Sequence, residues 1–192
     1  KADRIWIVPA FGHPLGTATM LPGYGDAHDA AMDRYRFLAP VAAMLHDTSA
    51  GTVRPAGERG MTMDYWPNRA DLQQLRAGLR AGTELLLAAG ARRVFIPASR
   101  LLTIHSPAEL HLIDNLDLAP GSIEVSAVHP MATVPMGDDP TVAAVDSRGQ
   151  HHHLAGLWVA DGSLFPSSIG VPPQLSIYAL GLHVGRALAA VG

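Results

Sequence analysis

The chain has 192 residues, with 14 Lys+Arg against 17 Asp+Glu, no cysteine, 19 Gly, 15 Pro and 48% hydrophobic residues. That length suits one ordinary domain or little more, and without cysteine there is no disulfide framework, no thiolate-ligated metal and no thiol nucleophile; the compartment stays open, with the cytoplasm favoured. A formal charge of −3, no basic block and no apolar run near the ~20 residues of a membrane-spanning helix leave nucleic acid and the membrane without a footprint, so small or uncharged partners are expected.

The chain opens Lys1-Ala2-Asp3-Arg4-Ile5, with neither an initiator Met nor the regions of a signal peptide, which reads as an internal cut of a longer protein. Ile5-Trp6-Ile7-Val8 is a short β-rich run stopped by Pro9, and Gly12, Pro14, Gly16, Pro22, Gly23 and Gly25 then predict loops. A helix is expected from Asp26, with Asp26 as cap, bent or split at Pro40 before Leu45. Residues 51–54 and 61–65 flank a Gly-rich turn and predict a β-hairpin. The strongest helix signal follows: Asn68 as cap, Asp71 three residues on, Leu72, Leu75, Leu79 and Leu86 at helical spacing, and Gly90 as the stop. Val94-Phe95-Ile96 predicts a strand, and Ser106-Pro107-Ala108-Glu109 opens a helix expected to reach about Asp117. Beyond Gly121 the pattern changes to short apolar strands at 123–128, 143–146 and 157–160, a turn at Ser147-Arg148-Gly149, and an apolar helix from Pro173 or Gln174 to Leu188.

Three blocks carry the chemistry: Val128-His129-Pro130-Met131-Ala132-Thr133-Val134-Pro135-Met136-Gly137, then Leu157-Trp158-Val159-Ala160-Asp161-Gly162-Ser163, then Gly170-Val171-Pro172-Pro173-Gln174-Leu175-Ser176-Ile177. The middle block ends a buried strand in Asp-Gly, where open α/β sheets place ligands and where Gly lets a backbone approach closely. The last block aims a helix start, with its free N–H groups, at an anion or an electron-rich carbonyl.

In this order and spacing the blocks resemble the C-terminal signature of the glucose-methanol-choline (GMC) flavoprotein oxidoreductases, from Ser126 to about Arg186. Residues 53–95 more faintly resemble the family's substrate-domain hairpin, long helix and following strand. The resemblance implies oxidation of an alcohol with FAD. For His129 it implies the catalytic base: an imidazole with pKa about 6.5 takes the hydroxyl proton while hydride leaves the same carbon for flavin N5. For Asp161 and Gly162 it implies contact with the ribityl and pyrophosphate part of FAD. For Pro173 and Gln174 it implies the helix start that faces the pyrimidine edge of the flavin.

The implied fold is α+β, a substrate-binding domain with an antiparallel sheet and helices over residues 1–120, and over 121–192 the segment that completes a Rossmann-like FAD-binding domain. No G-x-G-x-x-G follows a strand, so this chain alone is not expected to hold FAD or to turn over, and its partners would be the alcohol, the N-terminal flavin-binding part and a second copy of the chain. Where the family commonly carries Asn or His, this chain has Pro172, leaving either His129 alone or His13 and His105 as unplaced candidates for the second polar role. Ala132 and Val134 stand where Gly and Cys are common. His151-His152-His153 alternates faces on a strand and predicts a solvated turn, not a metal site. A non-catalytic GMC-like binding or interaction module is the alternative reading.

Overall fold

In the computed structural model, residues 5–21, 23–58 and 60–191 are described. The opening Lys1–Arg4, Pro22 in the punctuated stretch, Arg59 in the hairpin turn and Gly192 lie outside the described residues. Close contacts divide the chain into two compact units, one of Lys1–Ala50 and Tyr65–Ser126, the other of Gly51–Asp64 and Ala127–Gly192.

In the first unit the apolar run at the start forms strand β1 (Ile5–Pro9). The stretch expected to be loop holds a short helix, α1 (Pro14–Met20), because Pro14 fits its first turn and His13 Nδ1 accepts the Gly16 N–H at 3.1 Å. Helix α2 (Asp26–Met32) has Asp26 and Asp29 in its first turn, but its cap position falls to Gly25 at φ +59. The helix does not continue to Leu45. It stops at Met32, a short turn follows at Tyr35–Phe37, and the chain enters strand β2 (Val41–Leu45). Pro40 breaks helical bonding and holds its predecessor extended, and residues 41–45 gain a ladder against β1, running antiparallel from Ile5↔Leu45 to Pro9↔Val41.

Helix α3 (Arg69–Ala88) is capped as expected, with Asn68 Oδ1 accepting the Asp71 N–H at 3.0 Å and Gly90 at φ +93 after its last turn. The β1–β2 ribbon lies directly on it. A Cβ at Gly78 would stand 2.8 Å from Ala43 Cβ and 3.0 Å from Ile5 Cγ2, so only glycine permits this approach. Leu79, Leu86 and Leu87 of α3 pack on a core of Val94, Ile96, Ile104, Leu110 and Ile113. Strand β5 (Val94–Ile96) supplies the first two and pairs antiparallel with β6 (Leu102–Ile104), a strand the sequence pattern did not announce. The helix expected from Ser106 to Asp117 is a short turn at Pro107–Glu109 followed by α4 (His111–Asp114). Ser106 makes no side-chain cap; Glu109 Oε2 instead accepts the His105 N–H at 2.7 Å.

The second unit contains the expected hairpin, β3 (Thr52–Ala56) with β4 (Gly60–Asp64), exposed along both strands. The expected strands at 123–128, 143–146 and 157–160 are single bridges, Ala98↔Ile123 in the first unit and Met136↔Val145, Val145↔His151 and Gln150↔Trp158 in the second. Bends and turns between these bridges leave the backbone too irregular for a continuous ladder. The expected apolar helix is α5 (Gln174–Ala189), whose Val184 joins Val145 and Leu164 in the core of this unit. Gly149 makes the turn at φ +91, where a Cβ would also stand 2.6 Å from Val184 Cγ2. The architecture is therefore mixed α and β, with helices and small antiparallel sheets. Among the described residues no helix is long and apolar enough to cross a membrane.

Candidate active site

The three chemical blocks come together within the second unit. Asp161 ends the run from Trp158, and its Oδ1 accepts the Ser163 N–H at 2.8 Å and the Ser163 hydroxyl at 2.5 Å, which closes a short helical turn at Gly162–Leu164. The His129 block runs alongside that turn: the Val134 N–H donates to the Ser163 carbonyl and the Met136 N–H to the Leu164 carbonyl, each at 3.1 Å. Gly162 is the point of contact among all three blocks. A Cβ placed on it would lie 3.3 Å from the Pro130 carbonyl oxygen and 3.3 Å from Ile177 Cδ1 in the first turn of α5.

The donor set suits a polar ligand with acceptor atoms. Helix α5 starts at Gln174 after the buried Pro173, which offers no side-chain cap, and the N–H groups of Gln174, Leu175 and Ser176 have no partner among the described residues. Uncapped N–H groups at the start of a sixteen-residue helix, with its positive dipole end, attract an anion or a polarised carbonyl. The Gln174 side chain donates to the Tyr178 hydroxyl at 2.7 Å along the same helix. Asp161 adds an acceptor, since its Oδ2 takes no hydrogen bond among the described residues. His129 is exposed and its ring makes no hydrogen bond there, so both nitrogens are open to a ligand.

The other histidines are occupied differently. His13 Nδ1 caps α1, and His105 engages Glu109 through its backbone; both belong to the first unit. His151 Nδ1 accepts the N–H groups of His153 and Leu154, each at 3.1 Å, while His152 Nε2 donates to the Gly137 carbonyl at 2.9 Å. Among the described residues no three His, Asp or Glu side chains gather to hold a metal ion.

One polar cluster has no counterpart in the sequence reading. Asp71, fully buried, accepts the Thr48 N–H at 2.8 Å, the Ser49 hydroxyl at 2.5 Å and the Thr48 hydroxyl at 3.1 Å. Burial works to raise its pKa, but the hydrogen bonds from Ser49 and Thr48 outweigh it and hold the carboxyl below the usual range. Beside it, burial and the 2.7 Å hydrogen bond to Asp47 push the Tyr65 hydroxyl above the ordinary phenol range. Asp71 reads from sequence only as an acid in a helix's first turn; its partners at 48 and 49 become visible only in the fold.

A family model described as GMC oxidoreductase matches residues 47–181. An uncharacterized GMC-type oxidoreductase of Mycobacterium tuberculosis is 37% identical over 181 residues, covering 93% of this chain and 28% of that protein. A long-chain-alcohol oxidase of Arabidopsis thaliana is 26% identical over 170 residues, covering 82% of this chain and 22% of its own. The crystal structure of pyridoxine 4-oxidase from Mesorbium loti superposes with a TM-score of 0.54 at 27% identity, over 78% of this chain and 29% of that one. The chain thus spans about a quarter of the length of these relatives. It belongs to the GMC oxidoreductase family and corresponds to the C-terminal part of its members.

Proposed function

We propose that the protein acts in FAD-dependent oxidation of a CH–OH group, with His129 as general base, Asp161, Gly162, Pro173 and Gln174 at the cofactor, and a small-molecule alcohol as substrate. In this reading residues 1–120 are part of a substrate-binding domain and residues 121–192 a segment of the FAD-binding domain. The observation that carries it is the meeting of Pro130, Gly162 and Ile177, which sets the residue next to His129 against the Asp-Gly turn and the start of α5. The residues present fit a flavin nucleotide in kind: free helix-start N–H donors for an electron-rich ring edge, and a carboxylate acceptor for hydroxyl groups. FAD, when bound, supplies the acceptor for the hydride.

The chain's own part is proton handling and orientation. The imidazole of His129, with neither ring nitrogen engaged among the described residues, can accept the hydroxyl proton as the carbon–hydrogen bond breaks. Proline at 172 brings no side-chain donor or acceptor, so in this reading the proton step falls to His129. The name long-chain-alcohol oxidase among the relatives supports an alcohol as the substrate class.

The test is His129→Ala in the flavin-loaded full-length protein that contains this chain, followed by stopped-flow reduction under anaerobic conditions. The expected loss is about two to four powers of ten in rate with flavin retained, the usual worth of a positioned base. An unchanged rate with flavin in place would overturn the assignment. Flavin that no alcohol reduces in the unaltered protein would favour a non-catalytic binding module instead.

A further inference from the structure

We infer that Gly162 and Ile177 are positioning residues for His129, acting through the carbonyl of Pro130; this rests on the reading of His129 as base. Gly162 is buried and its backbone does not lie in the left-handed region, so its lack of a side chain is not demanded by φ. Contact demands it. The space a Cβ would need is bounded at 3.3 Å by Pro130 O and at 3.3 Å by Ile177 Cδ1, closer than a side chain normally tolerates. Pro130 is joined to His129 by one peptide bond and has its φ fixed by its own ring, so ψ of Pro130 is the one soft dihedral between the pushed carbonyl and the His129–Pro130 peptide, and what it does not absorb is passed to the histidine backbone.

The far side of the same loop is pinned as well. Val134 and Met136 donate to the carbonyls of Ser163 and Leu164, the residues that follow Gly162. Between the two anchors Ala132 takes φ +63, the one described residue other than glycine with positive φ. The 130–136 loop is therefore stretched over the 162–164 turn, and the turn in turn rests on the first turn of α5. An element that carries the ligand-facing N–H groups thereby also sets where the imidazole stands, which fixes base and cofactor site as one piece. Such coupling has catalytic weight, because misplacing a reacting group by about an ångström costs on the order of a hundredfold in rate.

The experiment follows the His129 imidazole directly. The chain is labelled with ¹⁵N/¹³C-histidine, and the His129 ring signal is assigned by its disappearance in His129→Gln. Gly162→Ala is expected to move that signal while leaving those of His13 and His105, in the other unit, in place. Adding Ile177→Ala, which opens the α5 side for the new methyl, is expected to return the His129 signal toward its original position. A lowered melting temperature with the His129 signal unmoved would overturn the inference and reduce Gly162 to packing. If Gly162→Ala does not fold, Ile177→Val decides alone: it removes Cδ1, and an unmoved His129 signal would again overturn the proposal. Because no flavin is needed, the outcome is separate from the base assignment. Were His129→Ala without effect on flavin reduction while Gly162→Ala still moved the ring, the base reading would fall and the positioning contact would stand.

Discussion

Ala132 stands at φ +63, where a residue with a Cβ loses about 1–2 kcal/mol relative to the right-handed region. The loop's two anchors, Pro130 against Gly162 and Val134 on Ser163, impose that conformation. Ala132→Gly should therefore stabilise the chain, by about 1 kcal/mol, because the strain removed exceeds the extra freedom glycine gives the unfolded state. Urea unfolding would read this as a higher midpoint at unchanged slope, and a lower midpoint would refute it. The blocks that hold His129, Asp161, Gly162 and Gln174 stand out in the sequence by their order and spacing, and the fold brings those blocks into contact. The contact of Gly162 with Pro130 was not legible there, since a glycine carries no sign of what excludes its side chain. Nor was the cap made by His13, a role more often filled by Ser, Thr, Asp or Asn.

Helices α3 and α5 and the β3–β4 hairpin could be read from sequence because their signals are local: a cap, an apolar stripe, a turn. Strands β2 and β6 could not, since Val41–Leu45 and Leu102–Ile104 become strands only by pairing with β1 and β5. What ties the entry to α3 to the chain after β2 is equally nonlocal, the Asp71 clasp on Thr48 and Ser49. Its sign with pH is fixed by the depressed carboxyl pKa in the fold. The clasp contributes stability above the unfolded value of about 3.9 and loses it as pH falls through the lower folded value. Asp71→Asn removes the charge and turns an amide donor toward groups that already donate, for a cost of about 1–3 kcal/mol at neutral pH. The gap between the two proteins should narrow steadily at pH below about 4. Unfolding curves that stay equally separated from pH 7 down to pH 2.5 would show that Asp71 does not titrate with folding.

At the scale of the whole molecule the second unit leaves large apolar side chains of its last helix exposed. Its fully buried apolar side chains among the described residues are Val145, Leu164, Pro173 and Val184, whereas on α5 Leu175 is 82% exposed, Tyr178 62% and Leu182 56%. These three follow one another at three- and four-residue spacing and form a stripe on the helix face away from Leu180 and Val184, so α5 is apolar on two sides. A helix of that kind belongs inside a larger body, and the relatives, about three to four times longer, have the chain to provide one. Purified as it stands, the chain should satisfy the stripe with another copy of itself. Sedimentation velocity is expected to show a mass that rises with concentration, and a hydrophobic dye to bind at low concentration and less as association proceeds. Leu182→Glu, placed at the C-terminal end of the stripe and outside the core, should abolish the association while leaving the circular dichroism of the helices intact. A single monomeric species at high concentration, with no dye bound, would mean that the α5 stripe is already covered.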